Sequence, residues 1–132
     1  MENYTQSLQP ELAVNYCKLL VVTVDDPETT RQFRTDLGAE YPFLIDAEHK
    51  LINQLDIVDT TDPKHSPIPI PYAFVLDRTR EIYKIYNGWW FVGRPTVEEL
   101  RLDLRAVMSR RPDYAYQRAW DESEEARKDA FL

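Results

Sequence analysis

The run "KLLVVTVDDPE", Lys18 to Glu28, constrains this chain more than any other stretch. Leu19 to Val24 is apolar and β-branched, broken only by Thr23. A strand with one wet face alternates apolar and polar residues. A strand buried on both faces reads as this one does, as in a parallel sheet covered by helices. A helix start follows at once. Asp26 suits the N-cap, Pro27 the first helical position and Gly38 the position just past the end. A buried strand running directly into a capped helix predicts an α/β fold, with a mixed sheet flanked by helices on both faces.

The rest of the chain fits that frame. Residues 4–14 read as a weak helix with Leu8 and Leu12 one turn apart and Pro10 an awkward interior member. "YPFLID" is a short strand, and "EHKLINQLDI" a short helix with Leu51, Ile52 and Leu55 inward. "IVDTTDPKHSPIPI", residues 57–70, is a polar, proline-rich loop. "YAFVLD" and "EIYKIYNGW" form an antiparallel hairpin through "DRTR". In "TVEELRLDLRAVMSR", Thr96 and Glu99 match a capping box, and Val97, Leu100, Leu104, Val107 and Met108 share one helical face. The expected strands 19–24, 72–77 and 81–87 lie in one sheet, with helices 27–37 and 96–109 packed on it. Residues 1–112 form the domain and 113–132, with Tyr114, Tyr116 and Trp120, a charged arm.

Composition removes several functions. A net charge of −7 argues against a broad nucleic-acid surface. No apolar run approaches the ~20 residues of a membrane span and no signal-peptide core follows Met1, so a cytoplasmic address is expected. The single cysteine, Cys17, excludes an internal disulfide, and two histidines leave a zinc site short of ligands. Three glycines make no phosphate loop. No cofactor is expected.

The stretch "SPIPIPYAFVLD", Ser66 to Asp77, places Pro71 at the entrance of a strand that a hairpin and a closing helix follow. That arrangement resembles the thioredoxin fold, where a cis-proline opens the strand facing the active site, and it implies a cis Ile70–Pro71 bond. "KLLVVTVDDPETTRQFR", with the later "YPFLIDAEHKLINQLDI", resembles the redoxins, the alkyl hydroperoxide reductase and thiol-specific antioxidant superfamily. Those proteins often read as a strand ending near "VSVD", then "PE", a helix and "PFLSD". "IPYAFVLDRTREIYKIYNGWWFVGRPTVEELRLDLRAV" is similar to one bacterial redoxin-like subgroup. The resemblance covers roughly residues 12–112.

It implies a thiolate at the start of the first long helix, activated by the helix dipole and a nearby arginine, that attacks a peroxide. This chain reads as N-terminally incomplete, lacking the first core strand and the start of that helix. Cys17 stands instead at the entrance to "LLVVTV", where a structural role and an ordinary thiol pKa of ~8.5 are expected. The family's peroxide-binding arginine precedes the strand "FVLD"; Pro71 occupies that position here. Arg78 and Arg80 lie in the following turn and Arg94 in "GRP", and none takes the role. Pro71, Ile70 and His65 remain as candidate binding residues beside the old groove, although a solvated loop position suits His65 better. Trp89 and Trp90 in "GWWFVG" either pack as core or form a docking patch. His49 is expected at the surface, and Asp25, Asp26 and Asp46 as caps and strand ends rather than metal ligands.

Three readings follow: a thiol peroxidase or disulfide reductase, a non-catalytic binding module, and a piece of a longer redoxin. The favoured one is a redoxin-like protein without peroxidase activity in this form, with the binding module as the alternative. Without the central strand, "LLVVTV" and "YAFVLD" would each have an unpaired edge at ~1–3 kcal/mol per buried group. Direct closure of the two strands, or exchange between two copies, is therefore expected. Partners are a possible homodimer and a possible protein at the proline loop, with neither nucleic acid nor membrane.

Overall fold

Six strands and four helices are arranged in three two-stranded ladders in the computed structural model, which describes residues 1–88 and 93–110. The chain opens with a π-helical turn, Tyr4–Leu8, that runs into α1, Gln9–Leu12. This solves the problem set by Pro10. The wider turn ends as Gln9 donates to the Tyr4 carbonyl, and Pro10 falls in the first turn of α1, where a missing N–H costs least. Leu8 and Leu12 are buried as their spacing predicts.

β1, Val21–Thr23, pairs in parallel with β2, Phe43–Ile45, in the register Val21 to Phe43. The connection is α2, Pro27–Leu37. The Asp26 side chain accepts the Thr29 N–H at 2.9 Å, and Gly38 closes the helix with φ 66°, a left-handed position that glycine adopts without strain. Phe33 of α2 meets Phe43 edge-on at 6.2 Å between centroids.

α3, Lys50–Gln54, buries Ile52, while Leu51 and Leu55 are exposed. The expected inward trio is therefore reduced to one residue, because five helical residues present only a single turn to the core. The proline-rich loop is not wholly irregular. It contains an antiparallel ladder of β3, Val58–Asp59, and β4, Ile68–Pro69, continued by the Ile70 N–H to the Ile57 carbonyl at 2.7 Å.

β5, Tyr72–Leu76, and β6, Ile82–Asn87, form the expected hairpin, with a register shift between Val75 and Leu76. α4, Val97–Ser109, starts with the full reciprocal capping box of Thr96 and Glu99.

Two expectations are corrected. The cis peptide bond is Ser66–Pro67, and Ile70–Pro71 is trans. The backbone passes extended from β4 to β5 through Ile70 and Pro71, held by Ile57 on one side and Gly88 on the other. The single sheet is also not formed. The hairpin is a ladder separate from β1–β2, and direct closure of β1 on β5 does not occur. The N-terminal helical segment bridges the two halves instead. Gln9 bonds to Gly38 and Glu40, and the Thr5 hydroxyl meets that of Tyr41 at 2.7 Å. Towards the other half, Tyr4 donates to the Pro95 carbonyl and Glu11 receives a two-pronged contact from Arg101, at 2.9 and 2.6 Å.

Candidate functional site

Cys17 follows α1 and a turn in which Tyr16 takes φ 55°. Its N–H donates to the Leu12 carbonyl at 2.9 Å, so the residue ends the N-terminal helical segment rather than starting a helix. The thiol donates to the Asn15 carbonyl at 3.2 Å. Burial pushes its pKa above the ordinary thiol value, a correction to the unperturbed value expected from sequence. A donor hydrogen bond and burial both favour the protonated form, and protonated thiols are poor nucleophiles.

Ile70 and Pro71 are half-buried, and the backbone groups between β4 and β5 are partly engaged. The Pro71 carbonyl accepts the Gly88 N–H at 2.8 Å. Gly88 is buried against the proline ring, where a methyl group would overlap the Pro71 oxygen and stand 3.0 Å from its Cγ. The glycine is thus required by close approach, a constraint readable beforehand only as a Gly at a strand end. His65 is exposed, with Nδ1 2.7 Å from Asp62 Oδ2. Asp62 also accepts the Lys64 N–H at 2.8 Å, and these bonds, the backbone one foremost, hold its carboxyl below the usual range. The pair closes its own loop, and no hydrogen bond links it to Cys17 or Pro71. Trp89 and Trp90 lie outside the described residues, as does the arm 113–132.

The three aspartates behave as caps and strand ends. Asp26 caps α2, Asp25 accepts the Thr23 hydroxyl at 2.8 Å, and Asp46 accepts the Ile52 N–H at 3.1 Å. Among the described residues no cluster of three or more His, Cys, Asp or Glu side chains could hold a metal. Arg78 and Arg80 are exposed in the hairpin turn.

A buried polar constellation was missed by sequence reasoning. Asp103 of α4 is only 6% exposed. It accepts the Tyr86 hydroxyl and stands 3.5 Å from the Lys84 ammonium, which also lies 4.7 Å above the Tyr86 ring. Burial first, and the bond to Asp103 second, push the Tyr86 pKa above its ordinary value. The signal was present: Asp103 interrupts the apolar face between Leu100 and Val107, and Lys84 and Tyr86 share one face of β6 by their two-residue spacing. The cluster fastens the hairpin to α4. It holds no thiol.

A match to the AhpC/TSA family covers residues 2–85. No curated protein is matched. Among solved structures, Mycobacterium tuberculosis AhpC superposes with a TM-score of 0.68 at 21% identity, over 82% of this chain and 60% of that one. Enterococcus faecalis AhpC gives 0.67 at 20%, over 80% and 62%. A cysteine-to-serine mutant of Xylella fastidiosa PrxQ gives 0.67 at 18%, over 80% and 65%. At these identities the likeness establishes the thioredoxin-like α/β fold, and the chain spans less than two thirds of the length of each of these three structures. With the family match running from the N-terminal helix through β5 and most of β6, this chain belongs to the AhpC/TSA family.

Proposed function

We propose that this chain is a redoxin of the AhpC/TSA family that has no peroxidase activity in this form. The observation that carries the reading is the setting of its one thiol. Peroxide reduction begins when a thiolate sulfur attacks a peroxide oxygen, forming a sulfenic acid and releasing water or an alcohol. The attacking sulfur needs a positive field to stay ionised. Cys17 stands behind the C-terminal end of a helix, where the dipole is negative, and burial raises its pKa. Pro71, where the family places its arginine, supports the same reading. The test is peroxide turnover with the full chain. No consumption above a Cys17→Ser control is expected. Stoichiometric oxidation of Cys17 by micromolar peroxide, lost in that control, would overturn the proposal.

The proposal includes a homodimer, supported by the second edge of β1. Val21 and Thr23 direct their backbone groups at β2, through Pro42 at 3.1 Å and Asp46 at 2.7 Å. By the alternation of a parallel ladder, Val22 presents its N–H and C=O to the other side. Among the described residues no strand pairs there. Leu20, Val22 and Leu44 add an exposed apolar face, Leu44 at 51%. An open apolar edge invites a second strand, and a charged side chain on it blocks pairing. Solution mass should be twice that of the monomer, and Val22→Lys should return it to one copy. A wild-type monomer at high concentration, or a dimer indifferent to Val22→Lys, would remove this part. No observation favours the binding-module alternative. No helix among the described residues is long and apolar enough to cross a membrane.

A further inference from the structure

Four asparagines stand in the chain, and Asn87 alone is followed by glycine. Such a pair can cyclise: the backbone nitrogen of the following residue attacks the asparagine side-chain carbon and closes a cyclic imide. Glycine leaves that nitrogen unhindered, since it brings no Cβ to the ring. The fold holds this reactive pair in a particular way. Asn87 ends β6 and is exposed, whereas Gly88 is buried. The attacking nitrogen, that of Gly88, donates to the Pro71 carbonyl at 2.8 Å. Its N–H therefore lies in the plane of the ladder, while a strand side chain stands roughly perpendicular to that plane. Gly93 closes the other side. A Cβ built on it would lie 2.6 Å from the Asn87 carbonyl oxygen and 3.1 Å from the Gly88 Cα. The peptide between Asn87 and Gly88 cannot turn toward the side chain while these contacts persist. A bulkier residue at 88 would slow the attack, but Pro71 leaves no room for even a methyl group there.

We propose that Asn87–Gly88 is a latent site of spontaneous deamidation and isoaspartate formation, locked by the Gly88–Pro71 hydrogen bond and released when the end of the hairpin opens. Local opening of that kind costs less than global unfolding. Once open, the Gly88 nitrogen loses its proton and bonds to Asn87 Cγ. The Cγ–Nδ2 bond breaks, and Nδ2 leaves as ammonia with that proton. Water then adds across one of the two imide C–N bonds. Hydrolysis on the side-chain side leaves aspartate. Hydrolysis on the backbone side leaves isoaspartate, whose main chain runs through the former side-chain methylene. Nothing is oxidised or reduced, and water is the one co-reactant. Isoaspartate lengthens β6 just before Gly88 and carries the Gly88 N–H out of register with the Pro71 carbonyl. The change is one-way, and it unfastens the extended segment Ile70–Pro71 at the end that Gly88 holds.

The experiment incubates the full chain at mildly alkaline pH, native and in urea. Peptide mass spectrometry then follows each asparagine, with fragmentation that separates aspartate from isoaspartate. In urea Asn87 should convert fastest of the four asparagines, and a faster Asn3, Asn15 or Asn53 overturns the site. In the native chain conversion at Asn87 should be slower by roughly tenfold or more, the worth of one net backbone hydrogen bond. Equal native and urea rates overturn the lock. Hydrogen exchange of the Gly88 amide supplies an independent reading, because exchange and cyclisation both pass through the deprotonated nitrogen. The native slowing should be at least as large as the protection of that amide. A smaller slowing shows that attack does not need the bond to open, and also overturns the lock. Chain converted to isoaspartate in urea and then refolded should exchange Gly88 without protection while the amide of Val75, in the core, stays protected. Protection kept at Gly88, or lost at both positions, overturns the local unfastening of Pro71.

Discussion

The parallel pair β1–β2 and the hairpin β5–β6 are built from equally apolar sequence, yet they are held in different ways. The parallel pair is three residues long in each strand and depends on local devices. Asp26 caps its helix, Gly38 ends it, and Arg34 of α2 reaches back to the carbonyls of Tyr41 and Glu40 at 3.0 and 3.1 Å. Its long-range ties are the polar contacts to Thr5 and Gln9. The hairpin is longer and is fastened to α4 by a buried carboxylate, with Val75 inside the core. The first half is therefore stable as far as its own caps carry it. The second is a tertiary unit that leans on one buried group.

Asp103→Ala tests that difference most severely. It leaves the Tyr86 hydroxyl without its acceptor and deprives Lys84 of its counter-charge. A hydrogen bond to a charged acceptor and an orphaned partner together predict a loss of about 3 kcal/mol. Denaturant unfolding measures it. Asp103→Asn keeps an acceptor oxygen and should lose less. If Asp103→Ala costs no more than an ordinary surface change, within ~0.5 kcal/mol, the cluster is not what joins hairpin to helix.

A matched pair of glycine substitutions sharpens the comparison. Gly88→Ala drives a methyl into the Pro71 carbonyl, a backbone atom that cannot step aside without moving the ladder. Overpacking of that kind costs about 2 kcal/mol. Gly38→Ala meets nothing within 4 Å and suffers only from its φ of 66°. That is about 1 kcal/mol. Equal losses would show that close approach at Pro71 is not the constraint.

The same contrast explains what could be read from sequence. α2 and α4 emerge where Asp26, Pro27, Gly38, Thr96 and Glu99 put them, because caps act within one turn. The hairpin also emerges, since Asp77 organises its own turn by accepting from Thr79 and Glu81. The shared sheet does not, because joining β1 to β5 is decided by contacts far apart in sequence, and the N-terminal segment takes over the bridging. The position of Cys17 just before β1 is legible in the sequence, whereas its burial depends on packing. Which X-Pro bond of "SPIPIP" is cis was not legible in the residues: three candidates share one local pattern.

The smallest expected effect concerns pH, and its sign differs between the depressed carboxyls and the raised phenols. Asp26 is held below the ordinary carboxylate range, first by the Thr29 hydroxyl and then by the Thr29 N–H. A depressed carboxyl contributes stability above its unfolded pKa, and the contribution fades as pH falls through the folded value. Glu99 is depressed likewise by the Thr96 N–H and hydroxyl, so acid weakens a cap in each half. Alkali acts on the groups whose pKa is raised, which include Cys17 ahead of β1 as well as two phenols. Tyr86 is raised above its ordinary 10.0 by burial and by Asp103, and Tyr4, beside Pro95, is raised by burial. A phenol with a raised pKa binds its proton more tightly in the folded state. Its contribution is complete below the unfolded pKa near 10 and is lost as pH climbs through the folded value. Melting temperatures of wild type and Tyr86→Phe, measured from neutral pH to beyond pH ~10, isolate this contribution. The wild type should lose stability faster than Tyr86→Phe above that point, and the two curves should run parallel below it. Parallel curves throughout would mean that the hairpin is not fastened to α4 through the Tyr86 hydroxyl.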